Sequence, residues 1–340
     1  MRSGVWIRGP IADGALAMSW IPFAVAAHSV EGHPDVLRTL VAGVMFLSFT
    51  HQPLTLPLVY ASPWRRRSRP GIFLWAPLVA VAGVALFSQL SLVLVAVVGA
   101  LWNAEHTLMQ RYGITRIYGR QGGDSHGGTE RWMLVGWLVV PLLVIAARGQ
   151  LAPIVDRLDI SNVDSTAVKI LAQLPTEARY LLVPIAVATA FLTVQWLRTE
   201  FRTERTCNPG KHLYVASTAA LFLAALFDPI AAVVGFVGSH SLEYFFIVDR
   251  SVSSEARHPG PLGSLVRLPH GRTIFWGFYA FVVTGLFLLL YRLASPRLLI
   301  VTVLAIGALH FFYDSFIWKL RKPEVAASLA TSPAPVSLSA

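Results

Sequence analysis

The sequence predicts an all-α, polytopic membrane protein of about ten transmembrane helices with both termini cytoplasmic. Three observations predict it. Of 340 residues, 55% are hydrophobic and only 14% charged, where a soluble domain carries about 25% charged residues. Mean hydropathy is +0.59. The apolar residues fall in long runs, and about 20 of them suffice to cross a bilayer. Residues 1–322 read as one transmembrane domain. The Ala/Ser/Pro-rich stretch 323–340 reads as a disordered tail.

The elements follow in order. The first run, 12–30, comes after Arg2 and Arg8 and has no clear small-residue cleavage site, so it reads as an anchor. Span 37–60 contains Pro53 and Pro57, which predict a kink or a broken end. Spans 71–87 and 89–110 meet at a tight turn, Phe87–Ser91. After 132–148 comes the longest extramembrane piece, 148–178, with Asp156, Asp159, Asp164 and a short amphipathic stretch, Ala167–Leu174. Spans 179–197, 212–227 and 229–249 follow. Pro229 cannot continue the preceding helix, so Asp228–Pro229 reads as a hairpin tip. Spans 273–292 and 298–318 complete the set.

Charge fixes the expected orientation. With the N-terminus inside, 21 of the 28 Lys and Arg fall in cytoplasmic loops. The outer side keeps Arg38, Arg148, Arg157, Lys169, Arg179, Arg292 and Arg297. Cytoplasmic loops are the basic ones, and the expected location is the bacterial inner membrane. The net charge of +10 is spread over many short loops, which argues against nucleic acid as a partner. The single cysteine, Cys207, excludes an intrachain disulfide framework and a Cys-rich zinc site.

Four outside-to-inside spans each carry a histidine: His51, His106, His240 and His310. Their distances from the inward basic flanks place them at similar depth in the cytoplasmic half, where they can converge. Carboxylates accompany them: Glu105 adjoins His106, Glu243 follows His240 by three residues, and Asp314 follows His310 by four. Spacings of three and four share a helical face. In 301–319, His310, Asp314 and Trp318 line one such face. Ionisable groups inside an apolar span are costly unless something binds them. Two readings stand: a metal site, or His–acid hydrogen bonds that tie helices together. The metal reading takes His51, His106, His240, Glu243, His310 and Asp314 as ligands of a divalent metal, with iron favoured, and Glu105 and Tyr244 as catalytic groups. Asn103, Gln110, Tyr112 and Tyr244 are candidate outer donors or substrate contacts. Gly113 allows a turn or close approach at the cytosolic surface. His126, His212, His258 and His270, and His28 and His33, read as solvated loop residues.

This layout resembles that of the histidine-rich multi-pass membrane iron oxygenases. The Brp/Blh-type β-carotene cleavage enzymes are nearest in size, span number and scattered single histidines. The resemblance covers the general layout and His51, His106, His240 and His310. Glu243 and Asp314 match no motif of that family, and the HxxxH and HxxHH clusters of membrane desaturases are absent. The resemblance implies a non-haem iron oxidoreductase whose partners are the bilayer, a lipophilic acyl, isoprenoid or carotenoid-like substrate, and a cytosolic electron donor. The alternative is a transporter of protons, metal ions or a small polar solute that uses Glu105, Asp228, Glu243, Asp249 and Asp314 as relay groups. The concentration of polar groups in one half of the bilayer fits a dead-end pocket better than a through-path. A third possibility is an assembly factor whose histidines make only helix–helix bonds.

Overall fold

A computed structural model describes residues 6–90, 92–124, 127–157, 165–202 and 208–329. The helices are, in order, α1 (Pro10–Ala17), α2 (Trp20–Ser29), α3 (Pro34–His51), α4 (Thr55–Tyr60), α5 (Pro63–Arg67) and α6 (Pro70–Leu90). Then come α7 (Leu92–Gln121), α8 (Gly128–Ala147), α9 (Leu151–Arg157), α10 (Ser165–Arg202) and α11 (Pro209–Ala224). The last are α12 (Pro229–Glu255), α13 (Pro261–Arg267), α14 (Gly271–Leu293), α15 (Pro296–Ile317) and α16 (Pro323–Ser328). No strand occurs among the described residues.

Seven segments among the described residues are long and apolar enough to cross a membrane: Pro10–Ser29, Pro70–Leu90, Gly128–Ala147, Gln173–Phe201, Pro229–Glu255, Gly271–Leu293 and Arg297–Ile317. Each matches one of the expected spans. The other three differ for local reasons. Span 37–60 is interrupted: Pro53 has no N–H for the carbonyl four residues back, so α3 gives way to a 3-10 turn, Gln52–Leu54, before α4. Span 89–110 begins in the last residues of α6 and falls mostly in α7, which continues through Gly113 to Gln121. The glycine makes no turn there, and a Cβ at that position would meet nothing within 4 Å. Span 212–227 is α11, at 16 residues shorter than a full crossing. The tight turn at Asp228 is as expected: its carboxylate accepts from the Ala231 N–H (2.9 Å) and caps α12.

Cys207, His126, Asp159 and Asp164 lie outside the described residues. So do the side chains of 167–172 in the amphipathic stretch. The stretch from 323 opens with α16, in which Val325 and Ala326 are buried, and 330–340 lies outside the described residues.

The helices divide into two compact units. One holds the described residues of 1–45 and 105–242, the other those of 46–104 and 243–333. In the first unit α8 and α10 touch closely. A Cβ on Gly136 would fall 2.3 Å from Thr189 Oγ1, so only glycine permits this contact. Trp137 donates to Thr193 across the same pair (3.0 Å). Asn208 caps α11 by accepting from Gly210 N–H at 2.9 Å, and Gly210 lies directly under the Tyr118 ring. Lys211 is buried among three acids, with Nζ 3.0 Å from Asp124, 3.0 Å from Glu130 and 2.6 Å from Glu200. Burial lowers the pKa of this ammonium, but the carboxylates, Glu130 first, outweigh it and hold the value above the ordinary lysine range. Arg116 joins at 2.8 Å from Asp124, and His212 at 3.0 Å from Glu200.

The second unit has an apolar core that includes Leu54, Leu58, Phe73, Val248, Val252, Phe275, Tyr313 and Ile317. Glu255, at the end of α12, is buried beside it. It accepts from Ser62 Oγ (2.8 Å), Trp64 Nε1 (3.1 Å) and Arg65 Nε (3.2 Å). Burial pulls the Arg65 guanidinium below its ordinary value, and Glu255 opposes that shift. Gly260, at φ 137°, lets the chain pass against Pro63, where Leu262 N–H donates to the Ala61 carbonyl (3.1 Å).

Glu255→Ala is expected to cost about 3–5 kcal/mol, because it strands a buried guanidinium. Arg66→Ala, at an exposed neighbouring position, should stay within about 0.5 kcal/mol. Thermal unfolding of the detergent-purified protein measures both, and equal losses would refute the structural role given to Glu255.

Candidate functional site

The break after α3 positions His51. It is the last residue of that helix, directly ahead of the 3-10 turn. The Tyr279 hydroxyl donates to the neighbouring Thr50 carbonyl (2.6 Å) and pins the break. His310 and Asp314 sit one turn apart on α15, as the spacing predicts, with Nε2 and Oδ2 3.8 Å apart. Tyr244 on α12 completes the group. In the second unit, the rings of His51 and His310 lie 4.9 Å apart, His51 and Tyr244 5.1 Å, and Tyr244 and His310 4.9 Å. The Tyr244 hydroxyl donates to Asp314 Oδ1 (3.0 Å). Trp318 closes the edge, 6.1 Å from the Tyr244 ring. His51 and His310 are fully buried, and Asp314 is 7% exposed. Glu243 is buried in the same unit.

The first unit brings together the other two histidines. The rings of His106 on α7 and His240 on α12 meet edge-on at 5.2 Å. Gln110, one turn after His106, donates to the His240 backbone carbonyl (3.0 Å) rather than to its ring. Tyr112 instead donates to the Gly127 carbonyl at 3.1 Å.

Glu105 is exposed while His106 is buried. Adjacent helical residues diverge by about 100°, so the structure does not bring this carboxylate to the histidine's buried face. Asp228 and Asp249 serve local pairs. Asp228 meets His28 at 2.8 Å, and Asp249 takes Arg272 at 2.8 Å and Trp276 at 2.9 Å. His258 stacks on Trp64 at 4.9 Å rather than standing in solvent, and His28 and His212 are engaged by carboxylates.

Sequence reasoning missed Arg111. It was counted among the basic residues at the membrane edge, yet its side chain is fully buried. It donates to Thr218 (3.2 Å) and to Ser239 (3.1 Å), the residue before His240. The signal was available: Arg111 follows Gln110 within an unbroken helix that runs ten residues further.

Two imidazoles, a carboxylate and a phenol thus meet inside the second unit, and two imidazoles inside the first. Imidazole and carboxylate are groups that can ligate a cation. Comparison with protein-family models, with curated proteins and with solved structures finds no match to this chain.

Tyr244→Phe removes the donor to Asp314 from a buried site and is expected to cost about 1–3 kcal/mol. No measurable loss in thermal unfolding would mean that the hydrogen bond contributes nothing to holding α12 and α15.

Proposed function

We propose that this chain is an integral membrane metalloenzyme, a non-haem iron oxygenase that acts on an acyl, isoprenoid or carotenoid-like substrate. The observation that supports it is the buried grouping of His51, His310 and Asp314 within one unit. Two histidines and one carboxylate with open positions form the donor set of non-haem Fe(II) oxygenases. The donor types fit that group. Imidazole and carboxylate suit the metal, and Tyr244 donates to Asp314 as outer-sphere partners of ligating carboxylates do.

Bound iron would supply dioxygen activation. The chain's own residues supply the rest. Tyr244 holds Asp314 in one orientation and keeps a hydroxyl proton beside the group. Leu54, Leu58, Val248 and Tyr313 belong to the apolar core that includes Tyr244, and such a wall excludes water. α6 and α14 show mostly exposed apolar side chains, their windows only 11% buried, which suits a protein bathed in lipid. A substrate already dissolved in the acyl phase would reach such a site without crossing water. In this reading His106 and His240 are a second imidazole pair, and a cytosolic donor provides electrons.

Metal analysis of detergent-purified protein reconstituted with Fe(II) tests the proposal. Stoichiometric iron is expected, lost in His310→Ala and Asp314→Ala. Tyr244→Phe should bind iron about tenfold or more weakly, while Glu105→Gln should bind it as the parent does. Metal content that none of these substitutions alters would sink the reading.

A further inference from the structure

At the end of α15, in the second unit, a cavity of about 180 Å³ is lined by the apolar Trp64, Phe316, Ile317 and Val325 and by the polar Arg65, Ser68, Lys322 and Glu324. That volume holds roughly six waters at liquid density. It falls below the ~300 Å³ at which whole-ligand pockets begin, so it suits a head group. Ile317 closes the apolar segment Arg297–Ile317 and Pro70 opens the next one, Pro70–Leu90. The cavity therefore lies where two apolar helices reach the membrane edge.

We propose that this cavity binds the phosphate head group of an anionic amphiphile. Lys322 lines it, and two further cations flank its Phe316 wall, with Lys319 Nζ 4.8 Å and the Arg69 guanidinium 5.9 Å from the ring centroid. Arg321 follows two residues after Lys319. None of these four makes an ion pair among the described residues. Arg65 is already held by Glu255, so it stiffens the wall rather than supplying spare charge. Glu324 is the opposing carboxylate. Lys319 and Lys322 both stand below the ordinary lysine range, by burial first and then through the neighbouring cations. Four cations so placed repel one another, and a bound phosphate relieves that repulsion. The apolar walls, Trp64, Phe316, Ile317 and Val325, accept the first carbons of a chain that continues into lipid. Basic pockets at the ends of membrane helices recognise phospholipid head groups in this way. Two basic runs of the sequence, Arg65–Arg69 and Lys319–Lys322, converge here beside Trp64. None is used by the proposed iron site.

The test is calorimetric titration of the full chain in uncharged detergent with dihexanoyl phosphatidic acid, inorganic phosphate and dihexanoyl phosphatidylcholine. Saturable binding of phosphatidic acid, with none for phosphatidylcholine, is expected. Lys319→Gln/Lys322→Gln should weaken it by about tenfold or more, and Ser68→Trp, at an exposed rim position, should block it. Inorganic phosphate that binds as tightly as phosphatidic acid would assign the site to the free anion, and weaker phosphate binding assigns it to lipid. If neither anion binds saturably, or if both variants bind as the parent does, the proposal is overturned. Iron content is measured in the same samples and is expected to stay unchanged, so failure here is separable from failure of the metal reading.

Discussion

A charge taken out of water must meet its opposite, and in a chain surrounded by lipid no solvent stands by to replace a missing partner. This constraint governs both halves of the protein. Lys211 gathers Asp124, Glu130 and Glu200 from three separate stretches of the first unit. Glu255 gathers Ser62, Trp64 and Arg65 in the second. Apolar helices slide past one another at little cost, because lipid tails and leucines are chemically alike. Such ionic knots, and the glycine contacts at Gly136 and Gly210, are what single out one arrangement from many.

α12 shows the same logic along one helix. Its apolar window is 78% buried, against 11% for α6 and α14. It begins with a capping aspartate, carries His240 and Tyr244 along its middle, and ends at Glu255. A helix enclosed by protein can hold polar groups at membrane depth, since neighbours rather than lipid receive them.

Much of this was legible in the sequence, and the rest failed for identifiable reasons. Apolar run length located the seven segments that are long and apolar enough to cross a membrane. Pro53 announced the break that sets His51 at a helix end, and the four-residue step from His310 to Asp314 placed both on one face. Helical phase could not say which way the Glu105–His106 pair faced, and the buried choice went to the histidine. Arg111 was misplaced because a basic residue near a membrane edge usually marks water, whereas here hydroxyls of Thr218 and Ser239 receive it. The Lys211 knot was invisible because its partners are separated by up to 87 residues, and a single sequence carries no record of such distant pairing.

α10 provides a ruler along the first unit. Between Arg179 and Arg198 it offers 18 uncharged residues, about 27 Å of helix, close to the ~30 Å hydrocarbon thickness. Glu200 stands two residues beyond Arg198 and pairs with Lys211, whose partner Asp124 also holds Arg116 near the end of α7. His106 lies ten residues before Arg116 on α7, about 15 Å along the helix axis. The His106–His240 pair is consequently set almost three helical turns along α7 from the Arg116 end of the ionic group.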